Sequence, residues 1–244
     1  MSITSRDLSS EDLSYGHNID LWKKKISNYD TQRRIEVLID FFSKNLIHGS
    51  RCLDVGCGLG YFSRALLKYS PLEHTAMDIS ENLILELRMS LPKSNLVVAD
   101  LMRLTDRPEL KEKFDFIICS EVIEHTPNPK SSIENLHHVL KYEGYLSLSC
   151  PNYYWKWLLH IANVLGLRKH YKGYENWLTP FELIKILTNN GFTIVQYRGI
   201  HSVPWQFLPK FLLRLIDDLL GKYNFYFALN LAVLCQKKQN KNEA

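Results

Sequence analysis

From Arg51 onward the chain alternates short apolar runs with stretches in which apolar residues recur at helical spacing. The runs near 51–55, 73–78, 95–99, 114–119, 144–149, 192–198 and 225–235 predict strands, and the periods near 60–69, 81–90, 130–141 and 180–190 predict helices. Strands alternating with helices build a mostly parallel sheet covered by helices, an α/β fold. Gly144 and Gly191 each fall between a helix and the next strand, where a left-handed cap is expected.

Ahead of this core, Asp20 to Lys44 carries Leu21, Trp22 and Ile26, then Ile35, Leu38, Ile39 and Phe42, the pattern of one or two amphipathic helices. The expected division is an N-terminal helical segment over 1–45 and a main domain over 46–244, with lid insertions at about 152–178 and 201–222. The first insertion holds Tyr153, Tyr154, Trp155, Trp157, Tyr171, Tyr174 and Trp177. The second holds an apolar stripe of Leu208, Phe211, Leu212, Leu215, Ile216, Leu219 and Leu220.

Composition narrows the class. The 244 residues are 45% apolar and 23% charged, ordinary for a soluble globular chain large enough to bury a core. A net charge of +4 is small, and Lys23-Lys24-Lys25 reads as a solvated helix face, so no nucleic-acid partner is expected. The cysteines Cys52, Cys57, Cys119, Cys150 and Cys235 lie singly, without a C-x-x-C pair, as reduced thiols of a cytoplasmic protein do. The polar N-terminus lacks the apolar core of a signal peptide. No apolar run reaches the roughly 20 residues that span a bilayer, and Phe225 to Cys235 is broken by Asn230. Over 153–168, Trp155, Trp157, Leu158, Leu159 and Ile161 with Lys156, Arg168 and Lys169 suit either a packed lid or peripheral membrane contact. The oligomeric state is not legible.

The chemistry gathers at strand ends. Arg51-Cys52-Leu53-Asp54-Val55-Gly56-Cys57-Gly58-Leu59-Gly60 is a strand running into a glycine turn that opens a helix. Glycines there accept positive φ and let a ligand lie on bare backbone. The spacing is G-x-G-x-G rather than G-x-G-x-x-G, and Asp54 at the mouth would repel a pyrophosphate, which favours a nucleoside without phosphates. Asp78 ends His74-Thr75-Ala76-Met77-Asp78, where such folds place an acid that accepts from ribose hydroxyls, and Asp100 ends the third strand, where it can accept from a base amine.

With LDVGCGLG, AMDIS, VVADL and FDFIICSEVIEH in this order, residues 30 to 200 resemble the class I S-adenosylmethionine-dependent methyltransferases. The resemblance implies a Rossmann-like seven-stranded sheet, mostly parallel with the last strand antiparallel and helices on both faces. It implies S-adenosylmethionine as cofactor. Carried over by position, Gly56, Gly58 and Gly60 border the methionine end, Asp78 meets the ribose, Asp100 and Leu101 flank adenine, and Ser120 lies near the sulfonium. Arg34, Asp54, Cys57 and Ile79 complete the implied cofactor set. The E-x-x-E-H of Glu121, Glu124 and His125 resembles the ubiquinone-biosynthesis O-methyltransferase type in particular, and Arg34 corresponds to that type's arginine before the first motif.

If the chain turns helically after Cys119, Glu121, Glu124 and His125 share one face at i, i+3 and i+4, beside the transferable methyl. Three readings are open. The trio binds a divalent metal (Mg, Mn, Co or Zn). Alternatively His125 is a general base whose tautomer is set by Glu121 or Glu124. Otherwise the carboxylates cap backbone amides and His125 is a satisfied donor. His170 is the nearest candidate for a fourth ligand without matching the family's histidine cleanly, and His160 and His201 read as surface or core residues. The expected reaction is methyl transfer to a hydroxyl of a small apolar or aromatic acceptor. The rivals are an amine, sugar or alkaloid N-methyltransferase, a small-RNA 2′-O-methyltransferase, and a non-catalytic cofactor-binding partner protein.

Overall fold

The structure, a computed structural model, describes residues 29–45, 49–68, 73–164, 173–202, 209–221 and 223–239. Expectations for Leu21 to Ile26, Lys23-Lys24-Lys25, Arg168, Lys169, His170, Tyr171 and Leu208 lie outside them. The elements are α1 (Tyr29–Ser43), β1 (Arg51–Val55), α2 (Tyr61–Leu66), β2 (Glu73–Asp78), α3 (Glu81–Ser90), β3 (Asn95–Val98), β4 (Phe114–Ser120), α4 (Pro129–Val139) and β5 (Leu140–Pro151). They continue with α5 (Lys156–Val164), α6 (Pro180–Asn189), β6 (Phe192–Ile200), α7 (Lys210–Leu220) and β7 (Asn230–Lys237).

The sheet has seven strands in the order β3-β2-β1-β4-β5-β7-β6. β1 to β5 pair in parallel, and β7 runs antiparallel between β5 and β6. This is the architecture the resemblance implies. The order reverses between β1 and β4, so a crevice opens at their carboxyl ends.

Alternation along the strands divides the core between two faces. Cys52, Phe116, Ile118, Ala232 and Leu234 pack under Val37, Leu38, Phe41 and Phe42 of α1. Leu53, Val55, Ile117, Cys119, Leu146 and Leu148 pack under Ile133 and Leu136 of α4 and Leu183 and Leu187 of α6. Phe41 and Phe42 are fully buried, and each such ring contributes about 2 kcal/mol by its transfer from water. Helix starts follow local chemistry. Asn128 caps α4 ahead of Pro129, and Thr179 with Glu182 forms a capping box ahead of α6.

Two local expectations are corrected. Gly191 takes the left-handed φ of +82°, but Gly144 does not, and Glu143 at φ +62° makes that turn instead. Gly144 is required for space, because a β-carbon there would lie 2.9 Å from the Lys141 carbonyl oxygen. The last strand starts at Asn230 rather than 225, since the Phe227 and Ala228 amides turn back onto the Asn224 carbonyl at 3.1 and 2.9 Å.

All five cysteines are buried and free, and burial pushes the Cys52 thiol up to about 12. Among the described residues no helix is long and apolar enough to cross a membrane.

Candidate active site

The glycine loop joins β1 to α2 beside the β1/β4 crevice. A β-carbon on Gly56 would fall 2.4 Å from Cγ2 of Val122, so this glycine lets the loop close on the turn after β4. Gly58, at φ +52°, has nothing within 4 Å of its β-carbon position. Its bare backbone therefore faces open space, as a cradle for a flat ligand requires. The Cys57 thiol packs with Ala76, Ile84, Leu87 and Leu91, so Cys57 offers no polar side chain to a ligand, and its amide is held by the Met77 carbonyl at 3.0 Å.

Asp78 ties this loop to β2. Its Oδ2 accepts from the Gly58 amide and its Oδ1 from the Ser80 amide, both at 2.9 Å. Burial raises its pKa, and these backbone bonds oppose the rise. Ile79 follows, half-buried at the strand end. Asp100 caps the turn after β3 by accepting from the Met102 amide at 2.8 Å, while the Leu101 side chain enters the core. Asp78 and Asp100 thus stand at successive strand ends, as the sequence predicts.

Asp54 differs from its expectation. It turns beneath the loop and accepts from the Ser63 hydroxyl of α2 at 2.6 Å. Burial raises its pKa to about 7. A carboxyl held near half-protonation repels anions less than the charge assumed from sequence, so exclusion of a pyrophosphate no longer rests on it.

Glu121, Glu124 and His125 do not share a helical face. Glu121 adopts a left-handed φ of +55°, and only Ile123–His125 form a 3-10 turn. The reversal sends Glu121 back across the sheet edge. There it pairs with Arg34 of α1 at 2.9 Å and accepts from Asn230 of β7 at 3.0 Å and Ser149 of β5 at 3.1 Å. Ser149 also meets the Ser120 hydroxyl at 2.9 Å. Arg34 therefore stands at the site, though with Glu121 rather than with the glycine loop.

Glu124 points inward, 2% exposed, with Oε2 buried and without a hydrogen-bond partner. Burial, then the Glu121 charge, raises its pKa well above the ordinary carboxylate value and so disfavours its charged form. His125 lies at the surface. Its Nδ1 is 3.1 Å from the Tyr174 carbonyl oxygen, and its Nε2 is 3.9 Å from Glu124 Oε1. Asn176 straps this turn by donating its amide to the Glu124 carbonyl and its Nδ2 to the Thr126 carbonyl, each at 2.8 Å.

These residues do not fit a metal as arranged. Glu121 spends its oxygens on Arg34, Asn230 and Ser149, and among the described residues no three His, Cys, Asp or Glu side chains are placed to hold an ion. A cavity of about 220 Å³ lined by Met77, Val97, Ala99, Leu104, Leu110 and Phe114 includes no residue of the glycine loop.

Ser149, Asn176 and Asn230 belong to the site without having been singled out by sequence reasoning. Asn230 had a signal, since it interrupts an apolar run and a polar side chain there needs a partner. Ser149 and Asn176 had none that separates them from ordinary strand and loop residues.

A family model described as "Methyltransferase domain" matches residues 27–197. The ubiquinone biosynthesis O-methyltransferase of Glaesserella parasuis is 30% identical over 172 residues, covering 66% of this chain and 72% of that one. The ubiquinone biosynthesis O-methyltransferase of Coxiella burnetii is 31% identical over 169 residues, covering 65% and 70%. Among solved structures, a SAM dependent methyltransferase from Archaeoglobus fulgidus superposes with a TM-score of 0.60 at 21% identity, covering 90% of this chain and 99% of that one. The glycine cradle, the acids at successive strand ends and the matched family model lead to one conclusion: the chain belongs to the methyltransferase domain family and is an S-adenosylmethionine-dependent methyltransferase.

Proposed function

We propose that the enzyme methylates a hydroxyl group of a small apolar or aromatic acceptor. The observation that carries this reading is the orientation of His125. A carbonyl oxygen only accepts, so the contact with Tyr174 puts the imidazole hydrogen on Nδ1 and leaves Nε2 as the basic nitrogen. His125 is 39% exposed, so a substrate hydroxyl can reach it. Bound S-adenosylmethionine supplies an electrophilic methyl group. His125 takes the hydroxyl proton at Nε2 while the oxygen lone pair forms the new bond to carbon, and the carbon–sulfur pair leaves on sulfur as a neutral thioether.

The names of the curated relatives support oxygen as the accepting atom. Exposed Tyr153, Tyr154 and Tyr174 near this end of the sheet support an apolar or aromatic acceptor. For a lipid-linked acceptor, α5 presents Trp157, 55% exposed, with Ile161 and Val164 as a surface for peripheral membrane contact; residues 165–168 lie outside the described residues. Absence of co-flotation with anionic vesicles would remove the membrane contact.

The acceptor atom is tested by incubating the enzyme with methyl-labelled S-adenosylmethionine and matched catechol and arylamine panels. Carbon NMR of the product is expected to show a methoxy signal from the catechols. Exclusive N-methyl products would overturn the reading.

A further inference from the structure

We propose that Asp30 and His201 are positioning residues for the Arg34–Glu121 pair, through a chain of alternating charges that runs from α7 to the carboxyl edge of the sheet. Asp217 of α7 faces His201 Nδ1 at 3.5 Å. His201 Nε2 meets Asp30 Oδ1 at 2.8 Å, Asp30 Oδ2 accepts from Arg34 Nη2 at 3.0 Å, and Arg34 Nη1 meets Glu121 Oε2 at 2.9 Å. Each interior member lies between two groups of opposite charge. The Arg34 guanidinium, spanning two carboxylates through different nitrogens, is thereby fixed in rotation as well as in place.

The chain is expensive for a merely structural device. His201 is 0% exposed and holds a left-handed φ of +60°, which a non-glycine residue adopts at a cost. Desolvating charged groups is likewise unfavourable, and well-packed apolar residues of similar volume stabilise at least as well. Here burial disfavours the charged imidazole of His201, but Asp217 and Asp30 outweigh it and raise its pKa. The Ser202 amide donates to Asp217 at 2.8 Å and the Leu229 amide to the His201 carbonyl at 3.0 Å, so this end is anchored to backbone. At the other end Glu121 reaches Ser149, and Ser149 reaches Ser120. Rigidity generated between α1, α7 and the end of β6 is delivered to residues at the sheet edge where the acceptor is methylated. The sequence shows His201 and Asp30 only as isolated polar positions, because residues far apart along the chain assemble the contact.

The test uses the full chain with Asp30→Asn, Asp30→Glu and His201→Asn. Arginine side chains are followed by nitrogen NMR, and turnover by S-adenosylhomocysteine release with catechol as probe acceptor. In the parent, Arg34 is expected to show distinct Nη environments from restricted rotation. In Asp30→Asn and His201→Asn these collapse, kcat falls about tenfold and the dissociation constant for S-adenosylmethionine stays within about twofold, with Asp30→Glu recovering most of both signals. Asp30 is partly exposed, so Asp30→Asn carries the test where His201→Asn does not fold. Unchanged Arg34 rotation in a folded Asp30→Asn protein would overturn the proposal. So would a loss of cofactor affinity equal to the loss of kcat. The NMR readout needs no acceptor and decides the matter even where catechol is not methylated.

Discussion

Arg34 of α1 and Glu121 after β4 meet at 2.9 Å, and this contact brings the N-terminal helix into the candidate active site. Both side chains are largely sheltered, and removing Arg34 leaves Glu121 without this countercharge, at a cost of up to about 3–5 kcal/mol. Arg34→Ala is therefore expected to lower Tm and turnover together. Arg34→Lys keeps the charge but cannot bridge Asp30 and Glu121 through one planar group. A double-mutant cycle of Arg34→Ala with Glu121→Gln, followed by denaturant unfolding, is expected to show at least about 1 kcal/mol of coupling. Additive effects would mean that the two side chains act independently.

The glycines of the loop are glycine for different reasons, and alanine distinguishes them. At Gly56 a β-carbon meets Val122 at 2.4 Å, so Gly56→Ala overpacks the junction between β1 and β4 and costs about 1–3 kcal/mol. At Gly58 nothing protein-derived lies within 4 Å, and the strain of a left-handed alanine is about 1 kcal/mol. Gly58→Ala is expected to keep most of the parent Tm while weakening S-adenosylmethionine binding more than tenfold by calorimetry. Equal thermal losses in the two variants would contradict this division.

The placement of the glycine loop and of the strand-end acids was legible because these residues are local. Gly56 to Gly60, Asp78 and Asp100 each sit at a strand end that hydrophobic patterning locates, and the parallel order brings those ends together. The acceptor side was legible only in its residue types. A helical reading of Glu121 to His125 assumed right-handed backbone throughout, and the φ of +55° at Glu121 reverses its side chain toward Ser149 and Asn230. A single left-handed glutamate has no dependable sequence signal. Its stabilising partners lie on β5, β7 and α1, and only tertiary structure supplies them.

Asp54 links stability to pH. Its carboxyl rises from an ordinary 3.8 to about 7 on folding because of burial, so between those values the folded state binds more protons than the unfolded one. Stability contributed by this group therefore falls as pH rises from about 4 to 7 and does not return above it. Asp54→Asn keeps an oxygen for the Ser63 hydroxyl and removes the titration. Relative to the parent, its stabilisation is expected to grow from pH 4 to pH 8, on the order of 2–4 kcal/mol from a shift of about three pKa units. Urea unfolding at several pH values reads this directly, and parallel pH curves for the two proteins would rule it out.

His125 and the absence of a fitted metal cluster among the described residues make a joint prediction about turnover. With Nδ1 facing the Tyr174 carbonyl, Nε2 is the proposed base for the acceptor proton, and on that proposal His125→Ala is expected to lower kcat by about 10²–10⁴-fold. Cofactor affinity is expected to change little, since His125 bonds the Tyr174 carbonyl whereas Asp78 bonds the glycine loop. Glu121 is expended on Arg34 and Glu124 is buried where its charged form is disfavoured, so treatment with EDTA is expected to leave the rate unchanged, as is added Mg or Zn. The two measurements separate the readings of the E-x-x-E-H trio. Loss of activity to EDTA with stoichiometric recovery on adding metal would restore the metal reading. A His125→Ala enzyme of full rate would leave His125 a structural role, in which its bond to the Tyr174 carbonyl helps hold residues 173–178 over the turn.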